Sequence, residues 1–273
     1  MNTRLIAHRW AHRWAHRCAQ RWLLLLVVLP VAGFAAVEDS STSIGIGTEY
    51  TTGDYGGSSS VEEIYMPLNG SWNNGLIGLR LSIPWVTVRA PEGTLVDGPD
   101  GQPVVGEGPR RTESGLGDVI AAVTWIDALD YPSAGLSIDL SGTVKFGTAD
   151  EDKGLGTGEN DYSLQADLYK FLGSTTLIMT GGYTIRGDPG GYELDDVWFA
   201  SGGVAFRVSE DTRSGIFLDW RQSAVRGADD PAELSGFLSK ELNQSVDLAA
   251  YALVGLSDSS PDWGGGLNLY RRF

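Results

Sequence analysis

Between Leu136 and Phe146 the chain alternates strictly, with Leu136, Ile138, Leu140, Val144 and Phe146 apolar and Ser137, Asp139, Ser141, Thr143 and Lys145 polar. A period of two sends successive side chains to opposite faces of an extended strand. A run of this length is about twice the usual strand of a soluble sandwich, and it matches the roughly 9 to 11 residues a tilted strand needs to cross a bilayer. Two-faced strands closed into a ring are one of only two structures that satisfy every backbone hydrogen bond in lipid. This constrains the chain to an all-β fold, a transmembrane antiparallel barrel.

The same period recurs along the chain. Ile64, Met66, Leu68 and Trp72 alternate with Glu63, Tyr65, Asn69 and Ser71; Ile77, Leu79, Leu81, Ile83 and Trp85 alternate with Gly78, Arg80 and Ser82. Asn73-Asn74-Gly75 between them has the composition of a tight hairpin. Further stripes are Tyr162 to Leu168, Leu177 to Tyr183, Trp198 to Phe206, Ile216 to Trp220 and Val246 to Leu256, and Leu267 and Leu269 carry the last one to a terminal Phe273. About twelve strands fit. Glycine-, aspartate- and proline-rich connections near 52–60, 90–113, 148–158, 187–195, 227–231 and 257–261 are expected outside. Tighter ones near 73–75, 127–134, 173–174, 209–212 and 243–245 face the periplasm, together with both termini. Trp85, Tyr183, Trp198 and Trp263 fall near outer strand ends and Trp72, Trp125 and Phe273 near inner ones, as interfacial girdles require.

Residues 1–35 read as a signal peptide: Arg4, Arg9, Arg13, Arg17 and Arg21, then the apolar run 23–31, then Gly33-Phe34-Ala35, with cleavage after Ala35. The His-Arg-Trp tetrapeptide repeat belongs to this basic region. The barrel domain is then 36–273. Its charge is about −20, since the leader takes five of the 20 Lys and Arg and none of the 35 Asp and Glu. Such a chain repels nucleic acid. Cys18 and all three histidines, His8, His12 and His16, lie in the leader, so residues 36–273 lack the usual proton acceptor of a barrel hydrolase. No cofactor is expected, and the chain reads as a non-enzyme.

The informative charges share the polar face. Arg80, Lys145, Arg186, Arg207 and Arg221, with Asp139, Asp167, Asp219 and Asp247, are the candidates for lining a lumen and setting its selectivity, with Glu49, Glu63, Asp118 and Glu241 beside them. They serve equally as a network that satisfies buried charge and holds the barrel's shape. Asp150, Glu151 and Asp152 form an oxygen-rich loop, a weak candidate for a divalent cation without the spacing of an EF-hand. Gly154-Leu155-Gly156-Thr157-Gly158 lacks the Lys-Ser or Lys-Thr of a phosphate loop.

Three stretches carry a resemblance: Ser114-Gly115-Leu116-Gly117-Asp118 before a strand; Leu136 to Thr148 followed by the loop 149–161 and Tyr162-Ser163-Leu164; and a strand ending in Gly182-Tyr183-Thr184. The chain resembles the outer-membrane proteins of the phenol meta-pathway degradation family, transporters often encoded among aromatic-catabolism genes. It departs from that family in reading Phe146-Gly147-Thr148 for Pro-Thr-Gly; terminal Phe273 resembles the assembly signal of outer-membrane barrels, with Arg271 at a place that is usually apolar there. The resemblance implies a bacterial outer-membrane location and passive uptake of small aromatic or hydrophobic solutes. A non-transporting anchor that binds through its extracellular loops is the alternative. Expected partners are outer-membrane lipid and lipopolysaccharide, the barrel assembly machinery through Phe273, and a small-molecule solute.

Overall fold

The computed structural model describes residues 40–96, 102–191 and 193–273; the leader, with its repeat and cleavage site, lies outside the described residues. The strands are β1 (Ser41–Gly53), β2 (Val61–Asn73), β3 (Ile77–Pro91), β4 (Arg110–Leu116), β5 (Val119–Tyr131), β6 (Leu136–Phe146) and β7 (Asp161–Leu172). They continue as β8 (Thr175–Ile185), β9 (Val197–Arg207), β10 (Thr212–Arg221), β11 (Ala232–Asn243), β12 (Val246–Gly255) and β13 (Trp263–Arg272). Each pairs antiparallel with its neighbours, and β1 pairs with β13 from Ser43↔Arg272 to Thr52↔Trp263, which closes the sheet.

Twelve strands cross the wall, because β4 and β5 are two parts of one. The outer half of β3 pairs with β4 from Trp85↔Leu116 to Pro91↔Arg110, and its inner half pairs with β5 from Ile77↔Trp125 to Ser82↔Ile120. The interruption falls at Gly117-Asp118, inside one of the motifs that carried the resemblance. Long connections gather at one end and short turns, 74–76, 132–135, 173–174, 208–211 and 244–245, at the other, beside both ends of the described barrel. The long-loop end is therefore extracellular.

Residues 127–134 do not form the inner connection: β5 continues to Tyr131 through a bulge between Trp125 and Leu129, and only 132–135 turn. Asp127 takes a positive φ of 52°. The neighbouring strand holds the bulge: the Asp127 N–H donates to Asp139 Oδ1 at 2.8 Å and the Ser137 hydroxyl donates to Asp127 Oδ1 at 2.5 Å. An aspartate that reads as a turn residue in one dimension thus serves as a bulge residue in the sheet.

The apolar stripes face outward. Ile46, Leu68, Leu164, Met179, Ile216 and Leu267 are all exposed on the barrel exterior, where lipid tails would cover them. Tyr183 packs on Trp198 with ring centroids 4.8 Å apart and Tyr50 on Trp263 at 5.3 Å, both at the outer rim.

Candidate functional site

Inward-facing charge is organised at three levels rather than one constriction. Midway down, Asp139 on β6 and Asp167 on β7 are direct cross-strand partners and both are buried. Asp167 accepts from the Thr180 hydroxyl at 2.6 Å and from Gln165 Nε2 at 2.8 Å, while Asp139 accepts the Asp127 N–H. Arg80 enters from β3 within electrostatic reach of Asp139, Asp167, Tyr169 and Tyr270, so it stands between opposite walls. One cation balances two carboxylates that repel each other.

At the extracellular mouth Lys145 Nζ lies 2.8 Å from Asp161 and 3.7 Å from Asp118, and donates to the Thr157 hydroxyl at 2.7 Å. Arg186 reaches Asp161 at 3.5 Å. Asp118 also collects loop amides: Thr148 N–H at 3.0 Å, Ala149 N–H at 2.9 Å and Thr157 N–H at 3.1 Å. The strand break therefore places a carboxylate that anchors the outer loop 147–160. Across the mouth, Asp219 faces Glu233 on the next strand and Arg221 approaches Glu233 at 3.5 Å.

The periplasmic end holds the third level, with Asp247 3.0 Å from Arg272 and Glu241 2.6 Å from Arg213. Arg207 has the inward parity but lies exposed at the rim and forms no ion pair among the described residues. Arg213, Glu233 and Arg272 were missed from sequence although parity alone would have placed them inside.

Phe199, Phe217, Phe237 and Tyr270 on the inner wall were also missed from sequence. Five inward rings each lie over a glycine directly opposite on the adjacent strand: Phe199 over Gly182, Phe217 over Gly203, Phe237 over Gly215, Tyr251 over Gly266 and Tyr270 over Gly45. A Cβ on Gly203 would stand 2.2 Å from the Phe217 ring and one on Gly215 2.4 Å from Phe237, so the rings rest on bare backbone. Lying along the wall, they leave the lumen wider than upright rings would. The Tyr251 hydroxyl donates to Glu49.

Solvent reaches the interior unevenly. Asn69, Ser82, Thr124, Ser137, Asp139 and Gln165 are buried, as are Arg213, Phe217, Glu233 and Phe237, whereas Arg80, Phe199, Ser201, Asp219, Tyr251, Asn268 and Tyr270 stay partly exposed. Of the five flat rings, Phe199, Tyr251 and Tyr270 are partly exposed to the lumen, whereas Phe217 and Phe237 are buried.

Outer loops narrow the entrance. Val96 and Leu155 insert among Val61, Tyr65, Val86, Val88 and Ala90, forming an apolar cluster inside the mouth. The two loops interlock: the Val96 N–H donates to the Gly154 carbonyl at 3.4 Å, and a Cβ on Gly154 would meet the Thr94 carbonyl oxygen at 2.1 Å. From the far wall the Ser223 hydroxyl donates to Gln102 at 2.8 Å. Of the loop expected near 90–113, the described residues Leu95, Val96 and Gln102 are buried inside the mouth.

Asp150, Glu151 and Asp152 do not assemble a cation site. Asp150 pairs with Lys153 at 2.6 Å, which holds its carboxyl below the ordinary value, and Glu151 and Asp152 lie exposed in a short 3-10 turn. No group of three or more His, Cys, Asp or Glu stands close enough to hold a metal among the described residues.

A closed antiparallel barrel of twelve long strands, apolar outside and charged within, is an outer-membrane β-barrel of porin-like architecture, and it places the protein in the bacterial outer membrane. The chain belongs to the family described as "Putative MetA-pathway of phenol degradation", whose model matches residues 38–273. Among solved structures it is similar in fold to the COG4313 outer membrane channel from Pseudomonas putida F1. That match has a TM-score of 0.66 at 15% identity and covers 91% of this chain and 100% of that one. It is also similar to the KdgM porin (TM-score 0.54, 8% identity, 85% of this chain and 99% of that one) and to the NanC porin (0.52, 12%, 84% and 98%). No curated protein matches the chain in sequence.

Proposed function

We propose that this barrel is a passive, non-enzymatic channel that admits small aromatic or hydrophobic solutes across the outer membrane. The observation that carries the reading is the set of three inward rings, Phe199, Tyr251 and Tyr270, which lie flat against glycines and partly exposed between charged groups. Flat rings offer offset stacking to an aromatic solute at little entropic cost, and the neighbouring charges keep the remaining surface wet. Structural neighbours named as a channel and as porins support passive passage. Residues 36–273 contain neither histidine nor cysteine, which supports a non-enzyme.

Further partners are proposed from position. The exposed Phe273 ring, with the Arg271 guanidinium 5.2 Å from its centroid, suits recognition by the barrel assembly machinery, and the exterior suits lipid and lipopolysaccharide. Liposome swelling tests the solute class with two zwitterions of equal charge. Phenylalanine, although larger, should enter faster than glutamine. Equal or slower entry would overturn the aromatic preference, and swelling with neither would favour a closed anchor.

A further inference from the structure

The connection from β1 to β2 presents an aromatic ring from an unfavourable backbone. The Gly57 N–H donates to the Asp54 carbonyl at 2.8 Å and the Gly56 N–H to Asp54 Oδ1 at 3.2 Å, while Tyr55 and Gly56 have φ of 50° and 76°. This has the bond and the paired positive φ of a type I′ turn, whose first central position favours Asn, Asp or Gly and disfavours a bulky side chain. Only Tyr55 and Asp127 are non-glycine residues with positive φ among the described residues, and Asp127 is accounted for by its bulge. Strain of this kind persists where the surroundings hold it.

Those surroundings are the mouth of the lumen. Tyr55 packs against the buried cluster of Val61, Tyr65, Val86, Val88, Ala90, Val96 and Leu155, as Val105 of the next outer loop also does. Its hydroxyl lies within reach of Thr51, Glu63, Glu233 and Arg221, of which Glu63 and Glu233 are buried. Burial, and secondarily the Glu63 charge, push that hydroxyl above the ordinary tyrosine value, so it remains a neutral donor.

We propose that this slot, with its apolar floor and its acidic and basic rim, is a binding site for one flat phenolic ring, which Tyr55 fills in cis and so narrows the entrance. The inference rests on the channel reading and adds a site to it. A solute ring that exchanges with Tyr55 takes the same apolar floor and offers its hydroxyl to the same carboxylates. Access then depends on competition between a tethered phenol and a free one.

The test uses Tyr55→Asn in the full-length protein, because asparagine tolerates the left-handed turn and preserves folding, checked by heat-modifiable migration. In planar bilayers its single-channel conductance should exceed that of the unmutated pore by about twofold. Adding p-cresol, the tyrosine side-chain analogue, should return the variant toward the unmutated conductance while changing the unmutated pore little, and 4-methylcyclohexanol should do neither. Unchanged conductance in the variant, whether both pores are open or both silent, overturns the proposal. So does equal block of both proteins by p-cresol. If Tyr55→Asn behaves as expected but phenylalanine enters liposomes no faster than glutamine, the slot stands and the aromatic uptake reading falls.

Discussion

Asp139 and Asp167 sit directly opposite each other on β6 and β7, both inside the barrel and both buried, with Arg80 as the cation between them and the far wall. Like charges facing across a strand pair are destabilising unless they are compensated. Here the compensation is visible: Thr180, Gln165 and the Asp127 amide donate to the two carboxylates. Replacing both with Asn would remove two negative charges that act on Arg80 inside the lumen. The expected outcome is a lower preference for cations, read as a smaller reversal potential across a KCl gradient, together with earlier unfolding on heating. An unchanged reversal potential would mean that the permeation path does not sense Arg80.

The pairing of Phe217 with Gly203 predicts a steep and specific sensitivity to side-chain size. Gly203→Ala places a Cβ against the ring and should cost about 1 to 3 kcal/mol through overpacking. Gly202→Ala, one residue away on the lipid face with nothing within 4 Å, should be nearly neutral. In the Phe217→Ala background the further change Gly203→Ala should cost much less, because residues in contact do not add independently. Heat-modifiable migration or denaturant unfolding in detergent measures all three; equal effects at 202 and 203 would contradict the packing.

The fold was largely legible because a barrel writes itself into parity. β6 begins and ends where the alternation does, at Leu136 and Phe146, and the outward stripes on β8, β10 and β12 follow their sequence pattern. What parity cannot give is depth or partnership. Arg207 has the inward parity yet sits exposed at the rim, and Arg80 meets Asp167 only because sheet closure and shear bring β3 and β7 to face each other. The bulge at Asp127 is set by Ser137 and Asp139 on the next strand, and the burial of Val96 depends on Leu155 from another loop. Inward rings such as Phe217 and Phe237 escaped because an apolar residue at the parity of Asp219 and Glu233 breaks the alternation, and the glycines opposite them become apparent only once the strands are paired.

A periplasmic turn supplies a pH prediction. Asp211 accepts from the Ser209 hydroxyl at 2.6 Å and the Thr212 hydroxyl at 2.8 Å, and these, in that order, lower its pKa to about 2. A folded-state value below the unfolded one stabilises the turn above the unfolded pKa, and that contribution is lost as pH falls through about 2. Ser209→Ala with Thr212→Val should return the carboxyl toward its ordinary range, so that the turn weakens at a higher pH. Carboxyl NMR shifts followed through an acid titration would show this; an Asp211 midpoint unmoved in the double variant would refute the assigned cause.

Asp118 is the residue whose loss should be felt farthest from its own strand. It follows the break between β4 and β5, collects the amides of Thr148, Ala149 and Thr157, and lies 3.7 Å from Lys145, which also holds Asp161. Hydrogen bonds to a charged acceptor contribute about 1.5 to 3 kcal/mol each, so Asp118→Ala should release the loop 147–160 without opening the strands. The loop carries Leu155 into the mouth cluster and, through Gly154, holds the neighbouring loop at Val96. Its release should therefore show as faster amide exchange and proteolysis across 147–160 and around Val96, with noisier single-channel current and an unchanged β-sheet circular dichroism spectrum. Protection retained at both loops in Asp118→Ala would show that the carboxylate satisfies buried amides without holding the entrance in shape.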